Sequence, residues 1–461
     1  MADRPDPLSV WLYGTHVADL YRNGRRLRLQ FTDDARQRFG LGSPVLSCSL
    51  PISVDSPATA RVRDFFDGLA PEGPARGAIQ RMYRLPPDSL WHLLRAVGHD
   101  CAGAVTVLDT SPSQRPEPRY APLTGGDITR MISDLPARPL GDDELSRKSL
   151  GGVFSKLLLG RTPDGHWAQP QHGAPSTHII KPDPQRAELP GLVYHEILCM
   201  RLAQAVGLTP SETWLSTQWG VPCLVQQRYD REMGPQGLLR VHQEDMCQAL
   251  GYPPAHKYEI QGGPRLQQMA RLLEQHNPDP QQLDQLLRYA TFHALCGNAD
   301  SHAKNYAILH SADGGVRLAP IYDVDCMIGY HNIDLTYAHT LHGRWIDVRD
   351  VEPHDLVQEA GSWGLPQSRA TLVVQQLAAE MQQHLDRAAQ GLPVGDDVLR
   401  FLHNRTQQWA GSGAEAHQML QAHPVPAPGD HPRCNMLVKS TGDPCLLLPG
   451  HRGRCRSRIA T

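Results

Sequence analysis

The segment GNADSHAKNYAIL, residues 297–309, places several side chains that handle protons, metals or phosphate just before an apolar run. Asp300 and Asn305 are five positions apart, and His302 and Lys304 lie between them. A carboxylate can orient an attacking hydroxyl and an amide oxygen can bind Mg²⁺, and phosphoryl transfer needs both. The alternative for Asp300 and Asn305 is a turn whose side chains cap the backbone.

Two residues elsewhere in the chain complete the set of side chains that is required to transfer a phosphoryl group from a nucleotide. Lys181 ends the apolar run HIIK, and Asp323 follows the strand-like run in LAPIYDVD. Protein kinases have the same order: a strand lysine, an Asp with a Mg²⁺-binding Asn five residues later, and a second metal-binding Asp. The ordered set indicates a kinase more specifically than any one of its members does. Taken alone, Lys181 could simply end an edge strand, and Asp323 could cap a strand end.

Hydrophobic patterning predicts the secondary-structure elements of the chain, beginning with a β-rich N-terminal part. SVWLYG and GRRLRLQF alternate apolar and polar residues as half-buried strands do, and Asn23-Gly24 offers a tight turn between them. Residues 58–70 predict a helix that Pro71 stops, and the Pro- and Ser-rich stretch 111–123 predicts a linker.

The middle of the chain is mixed and the back is helical. Helical spacing of apolar residues predicts a helix at 192–207 with Gly207 as its cap, and a second helix at 281–296 that runs into the polar segment. A third helix is predicted at 373–389. The predicted strands are KLLL (156–159), HII (178–180) and CLVQQ (223–227).

Composition describes an ordinary globular protein. The 461 residues suggest two or three domains, and the net charge of −3 gives no reason to expect charge-driven binding to nucleic acid or a membrane. The N-terminus has no signal-peptide pattern and no apolar run approaches about 18 residues, so we expect a cytoplasmic protein without a membrane partner. Seven cysteines stand singly among apolar neighbours, as reduced buried thiols do.

The motifs together resemble the HipA-like serine/threonine kinases, the toxins of type II toxin–antitoxin pairs. The segment HQEDMCQALG, followed by KYE, is long and idiosyncratic, so this resemblance is specific. The segments that carry it are LSCSLPIS (46–53), FFDGLAPEG (65–73), CAGAVTVL (101–108), SLGGVFSKLLL (149–159), HIIKPD (178–183), QQRYDR (226–231), RVHQEDMCQALGYPPAHKYE (240–259), GNADSHAKNYAIL (297–309) and LAPIYDVD (318–325).

The resemblance implies an α+β, protein-kinase-like two-lobed fold with a β-rich N-terminal subdomain and a helical C-terminal lobe. We expect an N-terminal subdomain at 1–115, the nucleotide-binding part of the N-lobe at 116–230, and a helical lobe with the catalytic loop at 231–422. A Pro-rich linker and a basic tail with Cys and His residues follow at 423–461.

The resemblance also assigns roles to residues. Asp300 becomes the catalytic base, Asn305 and Asp323 hold Mg²⁺, and Ser149 is the autophosphorylation site whose phosphate pulls the nucleotide loop out. A structural hydrogen bond is the alternative for His302, and a cap is the alternative for Ser149. The residues assigned to the nucleotide are Gly151, Gly152, Val153, Phe154, Ser155, Lys156, Lys181, Gln227, Arg228, Tyr229, His302, Lys304 and Tyr322.

Two departures from the family pattern stand out. The nucleotide loop usually reads close to S-x-A-G-A-Q-x-K, whereas Gly151-Gly152-Val153-Phe154-Ser155 occupies its middle here. Phe154 cannot donate the side-chain hydrogen bond of a glutamine, although backbone N–H groups can still cradle phosphate. The helix after Lys181 carries His195-Glu196 in place of Asn-Glu, and Glu196 remains available to pair with Lys181.

The C-terminal tail has chemistry of its own. Cys434, Cys445, His451 and Cys455 would supply three thiolates and one imidazole, enough for a tetrahedral Zn²⁺ site. Their spacing matches no common zinc knuckle, so a disordered basic tail with free thiols is the alternative.

The sequence as a whole predicts an ATP- and Mg²⁺-dependent serine/threonine protein kinase that acts as a toxin. By resemblance, its substrate is an aminoacyl-tRNA synthetase such as the glutamyl enzyme, and a HipB-like helix-turn-helix antitoxin neutralises it and brings it to DNA indirectly. The alternatives are a small-molecule phosphotransferase, and an inactive kinase fold that serves as antitoxin partner and co-repressor.

Overall fold

A computed structural model of the chain describes residues 7–411 apart from 110–115, 136, 142–144, 152–154, 163, 185–187, 235–236 and 332. Most of the strands lie before residue 246, and the two longest helices, at 281–295 and 367–389, follow them. No helix within the described ranges has the length and apolar character that crossing a bilayer requires.

The first sheet is antiparallel with the strand order β3-β2-β1-β4. Burial alternates along β3, where Leu27, Leu29 and Phe31 face the core, as the period of a half-buried strand predicts. The turn between β2 and β3 is one residue later than predicted: Asn23 still pairs with Arg26, and Gly24 takes the positive φ of 61°. The strands are β1 Leu8–Leu12, β2 Thr15–Asn23, β3 Arg26–Phe31 and β4 Thr106–Leu108.

Four helices accompany this sheet: the first, second and fourth contribute apolar residues to its core, and the third packs Ile79 in a separate cluster with Leu93 and Val97 of the fourth. Val62, Phe65 and Phe66 of the second helix are buried against it. That helix ends shortly before Pro71, as predicted. The helices are α1 Asp33–Phe39, α2 Thr59–Gly68, α3 Gly73–Met82 and α4 Leu90–Val97.

The second sheet has six strands in the order β5-β7-β6-β8-β10-β9. The linker prediction for 111–123 is wrong in its second part, because residues 119–122 form edge strand β5 against β7. An edge position tolerates the proline at the end of β5, since that side of the strand needs no ladder hydrogen bond. The strands are β5 Arg119–Pro122, β6 Leu157–Arg161, β7 Trp167–Gln171, β8 His178–Pro182, β9 Thr213–Ser216 and β10 Cys223–Gln227.

Two helices belong to the second sheet, α5 Gly125–Asp134 and α6 Leu192–Ala205. A capping box at Thr124 and Asp127 begins α5. Helix α6 is buried along most of its length, and Val193 and Ile197 pack on Leu224 of β10.

The rest of the described chain is a helical lobe with short antiparallel strands. Helix α9 is buried almost throughout, which makes it the centre of the largest core. The elements are β11 Arg231–Gly234, β12 Gly237–Arg240, β13 His242–Asp245, α7 Met246–Leu250, α8 Leu266–His276, α9 Gln281–Leu295, β14 Ala307–His310, β15 Val316–Leu318, α10 Pro353–Ser362, α11 Gln367–Ala389 and α12 Asp396–Trp409.

The seven single cysteines are free thiols, as predicted. Six of them are buried, and Cys48 is partly buried.

Candidate active site

Lys181 lies on a central strand of the second sheet and forms two ion pairs. Strand β8 lies between β6 and β10, so the side chain projects from a position that both neighbours fix. The Lys181 ammonium donates to Glu196 Oε1 of α6 at 2.6 Å and also contacts Asp323 Oδ1. Burial works to lower the pKa of Lys181, but the carboxylates of Asp323 and Glu196 raise it above its ordinary value. Lys181 therefore stays charged.

The polar segment follows α9 as a loop built on internal hydrogen bonds. Gly297 takes a φ of 67° at the end of the helix, and a Cβ there would lie 2.5 Å from Ile328 Cγ1. Asn298 Oδ1 accepts from the Asp300 N–H at 2.9 Å, and Asn305 Nδ2 donates to the Asp300 carbonyl at 2.9 Å. These bonds hold Asp300 and Asn305 in a fixed relation.

The Asp300 side chain is exposed toward solvent and accepts a hydrogen bond from the Tyr258 hydroxyl. Partial burial of the carboxyl group raises its pKa, Asp323 adds to that effect, and Tyr258 and Lys257 oppose it. A carboxylate with a raised pKa is better matched to accepting a proton near neutral pH than an ordinary aspartate.

Asp323 has a φ of 56°, which is uncommon for a residue other than glycine, and its side chain is 42% exposed. Burial opposes ionisation, but Lys181 and Lys156 hold the pKa of Asp323 below its ordinary value. The structure thus brings Lys181 and Asp323 into contact, although 142 positions separate them.

The oxygen donors around this contact suit Mg²⁺. Asp323, the Asn305 amide and Asp300 supply carboxylate and carbonyl oxygens, which hard cations prefer. Asp325 adds a buried Oδ1 with no hydrogen-bond partner among the described residues. A buried oxygen without a donor is what a cation would satisfy, so the residues fit this metal.

The Lys304 side chain is 8% exposed and is held by two acidic residues. Its ammonium lies 2.7 Å from Asp245 Oδ2 and 3.5 Å from Glu72 Oε1. Glu72 precedes α3, so the N-terminal region contributes a residue to this side of the site. The Tyr322 hydroxyl donates to the Lys304 carbonyl at 2.5 Å. A Cβ on Gly151 would come within 3.9 Å of Lys304 Nζ, so Lys304 lies against the nucleotide loop.

His302 is buried beside Tyr258, with ring centroids 5.0 Å apart. Burial, with Lys257 adding to it, lowers the pKa of His302 well below its ordinary value. Its Nδ1 has no hydrogen-bond partner within the described chain. His302 is therefore neutral.

The predicted nucleotide loop is described only at its ends. Gly152, Val153 and Phe154 lie outside the described residues. Lys156 donates to the Gly151 carbonyl at 2.7 Å, and burial together with nearby Lys181 lowers the pKa of Lys156 to about 8. Ser155 is exposed.

Ser149 is fully buried at the start of this loop. Its hydroxyl donates to the Leu69 carbonyl at 2.6 Å, and its N–H donates to the Asp100 carbonyl at 2.9 Å. Both partners belong to the N-terminal region, so Ser149 fastens the loop to it.

Residues 227–229, which the resemblance assigns to the nucleotide as a hinge that contacts adenine through its backbone, differ in detail from this expectation. The N–H groups of Gln227 and Arg228 donate to Glu212 and Thr177 carbonyls at 2.9 Å each, so these two donors are not available to an adenine ring. The Arg228 guanidinium is buried against Asp230 rather than directed at a ligand.

Tyr229, the last hinge residue, packs its ring 5.8 Å from that of Tyr322. Its hydroxyl is hydrogen-bonded to Gln243. Tyr229 therefore links the hinge to the residues around Lys304.

Comparison with known proteins identifies the family. The HipA-like C-terminal domain model matches residues 148–385, more than half of the chain, and the HipA N-terminal domain model matches residues 8–108. The chain belongs to the HipA-like kinase family. The prediction of a serine/threonine protein kinase is confirmed.

Two HipA-like relatives cover most of the chain. A protein named as a kinase, Y4mE of Sinorhizobium fredii (strain NBRC 101917 / NGR234), is 36% identical over 332 residues, 70% of this chain and 78% of that protein. The serine/threonine-protein kinase toxin HipA of Shewanella oneidensis is 27% identical over 397 residues, 82% of this chain and 88% of that protein.

A solved HipA structure confirms the fold. The structure of the Shewanella oneidensis MR-1 toxin–antitoxin complex of HipA, HipB and operator DNA contains a chain that matches with a TM-score of 0.72 at 23% identity. The match covers 89% of this chain and 97% of that chain. The α+β, kinase-like prediction is therefore correct.

Sequence reasoning missed several residues of the HipA-like site. Asp325 was identifiable from the Asp-x-Asp spacing of DVD, and Tyr258 lies in the KYE motif without an assigned role. Asp245 and Glu72, which hold Lys304, lie in the quoted motifs HQEDMCQALG and FFDGLAPEG, but their role was missed because their contacts are distant in sequence. The tail residues Cys434, Cys445, His451 and Cys455 lie outside the described residues.

Proposed function

We propose that this HipA-like protein is an ATP- and Mg²⁺-dependent serine/threonine kinase toxin. The observation that carries the proposal is the contact of Lys181 with both Glu196 and Asp323, beside a loop that fixes Asp300 to Asn305. A strand lysine paired with a helix glutamate is the arrangement that positions nucleotide phosphates in active protein kinases. Because active kinases require this arrangement, its presence favours an active enzyme over an inactive kinase fold.

Each residue has a role in the proposed reaction. Lys181 binds the nucleotide phosphates, and Lys156 supports them from the loop that begins at Gly151. Asp300 orients the acceptor hydroxyl and takes its proton as the γ-phosphoryl group is transferred in line. Asn305 and Asp323 would hold Mg²⁺, which when bound neutralises the phosphate charge.

The rest of the predicted nucleotide set completes the site. Lys304, His302 and Tyr322 line the phosphate side, where Lys304 is fixed by acidic neighbours and His302 offers a hydrogen bond without charge. Residues 227–229 border the adenine. Backbone N–H groups at Gly152, Val153, Phe154 and Ser155 would cradle phosphate despite the absence of a glutamine.

The proposed target is a protein of translation, an aminoacyl-tRNA synthetase such as the glutamyl enzyme, in the cytoplasm. The relative from Shewanella oneidensis is named a kinase toxin, and toxicity through a kinase requires an essential substrate.

The proposed partner is a helix-turn-helix antitoxin of the HipB kind. The matching solved structure is named as a complex of HipA, HipB and operator DNA. The net charge of −3 is consistent with a subunit that reaches DNA through its partner rather than through its own surface.

We also propose that phosphorylation of Ser149 inactivates the enzyme. The hydroxyl is fully buried and donates to a carbonyl, so a phosphate dianion there would face the Leu69 oxygen and lack its donors. The loop from Ser149 to Lys156 would have to leave its position, and Lys156 would go with it.

Expression of wild type and Asp300→Asn, followed by phosphoproteomics, tests the proposed function. We expect wild type to arrest growth and to add phosphate to Ser149 and to a synthetase, and Asp300→Asn to do neither. Co-expression of a small helix-turn-helix protein encoded beside the chain should restore growth. Asp386→Asn, at a side chain 90% exposed on α11, is the matched control and should behave as wild type. Equal toxicity of wild type and Asp300→Asn would refute the proposal.

A further inference from the structure

A second cluster of ligand-type side chains shares no residue with the nucleotide site. Cys48, Glu244 and His310 place one sulfur, one carboxylate oxygen and one imidazole nitrogen within 4.8 Å of one another. Cys48 comes from the loop between α1 and α2, whereas Glu244 and His310 come from the paired strands β13 and β14. The cluster therefore lies where the N-terminal region meets the kinase lobe.

Strand pairing explains why two of these side chains meet. His242 is opposite His310 and Glu244 is opposite Ile308, so all four point to one face of the ladder and Glu244 is diagonal to His310. Cys48 is held over that face because its N–H donates to Glu244 Oε1 at 2.8 Å. Three separate segments thus converge on one point.

The cluster is buried and its hydrogen bonding is incomplete. The side chains of Glu244 and His310 have 0% exposure, and His310 Nε2 lies 2.9 Å from Glu244 Oε1. Glu244 Oε2 and His310 Nδ1 have no hydrogen-bond partner within the described part of the chain. His310 is also the only ion-pair partner of Glu244 among the described residues. A buried carboxylate so poorly compensated is unfavourable unless a cation neutralises it.

We propose that Cys48, Glu244 and His310 bind one Zn²⁺ ion that fastens the N-terminal region to the kinase lobe. A thiolate, an imidazole and a carboxylate are the ligands that zinc combines, whereas Mg²⁺ takes oxygen alone. Ligand atoms around tetrahedral zinc lie about 3.3–3.8 Å apart. On zinc binding, the 2.9 Å distance between His310 Nε2 and Glu244 Oε1 would lengthen slightly. The longer distances among the three ligand atoms would shorten by about 1 Å.

Zinc binding changes the protons of the cluster in a defined way. The Cys48 thiol loses its proton to solvent and the sulfur becomes a thiolate ligand. His310 keeps one proton, on Nδ1, and turns the Nε2 lone pair to the metal in place of its bond to Glu244. The fourth tetrahedral position is left for a water molecule.

Cobalt spectroscopy of the full-length chain without an affinity tag tests this site. The predicted tail ligands would also take metal, so the background carries Cys434→Ser, Cys445→Ser and Cys455→Ser. In that background we expect one equivalent of Co²⁺ to bind with a near-ultraviolet thiolate-to-cobalt charge-transfer band, and zinc to displace it. Co²⁺ binding without that band, or no binding, would overturn the proposal.

Two further variants in the same background identify the ligands. Cys48→Ser should abolish the band, whereas Cys223→Ser, which alters a buried thiol in the second sheet, should keep it. Zinc should raise the unfolding temperature of the background and of Cys223→Ser, and leave that of Cys48→Ser unchanged. A band that survives in Cys48→Ser would exclude this site. If Cys48→Ser does not fold, His310→Gln serves instead: it should lower cobalt affinity at least tenfold, and unchanged affinity would overturn the proposal.

Discussion

Individual side chains set the chemistry of the site through their close neighbours. Lys181 keeps its charge because Glu196 and Asp323 flank it, and His302 is neutral because it is buried beside Lys257. The same logic makes Asp300 an unusual aspartate: burial raises its pKa, while the Tyr258 hydroxyl works in the opposite direction. The ionised form of Asp300, which can accept a proton, is therefore stabilised by Tyr258.

Tyr258→Phe should make the kinase more sensitive to acid. The hydrogen bond from Tyr258 stabilises the ionised form of Asp300, so its loss raises the pKa of Asp300 further. Because the base must be ionised, the acid limb of the kcat profile should move to higher pH, with a several-fold loss of rate at the acid end. Steady-state kinetics across pH measure this.

Tyr120→Phe is the control for that experiment, since its hydroxyl donates to the Pro175 carbonyl on the edge of the second sheet. Its profile should match that of wild type. An acid limb that moves to lower pH in Tyr258→Phe would contradict the assigned effect.

At the scale of elements, different strands and helices position the charged side chains of the site beside one another. Strand β8 carries Lys181, helix α6 brings Glu196 to it, and buried α9 delivers the loop that holds Asp300. At the ends of the nucleotide loop, Ser149 is held by two hydrogen bonds to the N-terminal region and Lys156 donates to the Gly151 carbonyl.

Ser149→Ala should separate toxicity from self-inactivation. The variant lacks the proposed phosphate acceptor but keeps Lys156, so it should stay active after incubation with ATP while wild type loses most of its activity. Intact-mass analysis and nucleotide affinity before and after incubation measure this. The loss of one buried hydrogen bond should lower the free energy of unfolding by about 1 kcal/mol.

Ser146→Ala, at a second buried serine just before the loop, is the matched control and should inactivate itself as wild type does. Self-inactivation of Ser149→Ala at the wild-type rate would place the acceptor elsewhere.

At the scale of the molecule, a buried charge network joins the N-terminal region to the kinase lobe. Asp100 is fully buried and accepts from Arg231 and Arg240 at 3.0 Å each, and from the Ser176 hydroxyl at 2.6 Å. Burial opposes ionisation, but the arginines hold the pKa of Asp100 below its ordinary value. The two regions therefore depend on each other for charge compensation.

Asp100→Asn should lower the free energy of unfolding by roughly 3–5 kcal/mol, because it removes the buried carboxylate that Arg231 and Arg240 share. The folded pKa of Asp100 is lower than its unfolded value, so its contribution is present above about pH 4 and is lost as pH falls through the folded pKa. The difference between wild type and variant should shrink accordingly in acid. Denaturant unfolding at several pH values measures this.

Asp33→Asn, which alters an exposed surface pair with Arg36, should change stability by about 1 kcal/mol or less. Equal stability of wild type and Asp100→Asn near neutral pH would mean that the network contributes nothing to holding the two regions together.

The sequence by itself was enough to predict the family, the α+β fold and the main helices and strands. These follow from contiguous patterns: the period of β3, the apolar spacing of α9, and motifs such as GNADSHAKNYAIL that keep Asp300 and Asn305 at a fixed offset. Local sequence carries such information because dihedral preferences and burial periods act over a few residues. It failed at residues 119–122, where pairing with β7 decided a strand that local composition did not indicate.

Only the tertiary structure decided which distant groups meet. Lys181 reaches Asp323 across 142 positions, Asp100 reaches Arg231 across 131, and Cys48 reaches Glu244 across 196. The ordered motifs placed Lys181 and Asp323 in one site, but no local pattern specifies the other two contacts, because each arises from the packing of whole elements and the need to compensate buried charge. The residues that perform the chemistry of the site thus lie in short motifs. The ion pairs that set their charges, and the cluster of candidate zinc ligands, form only when the chain folds.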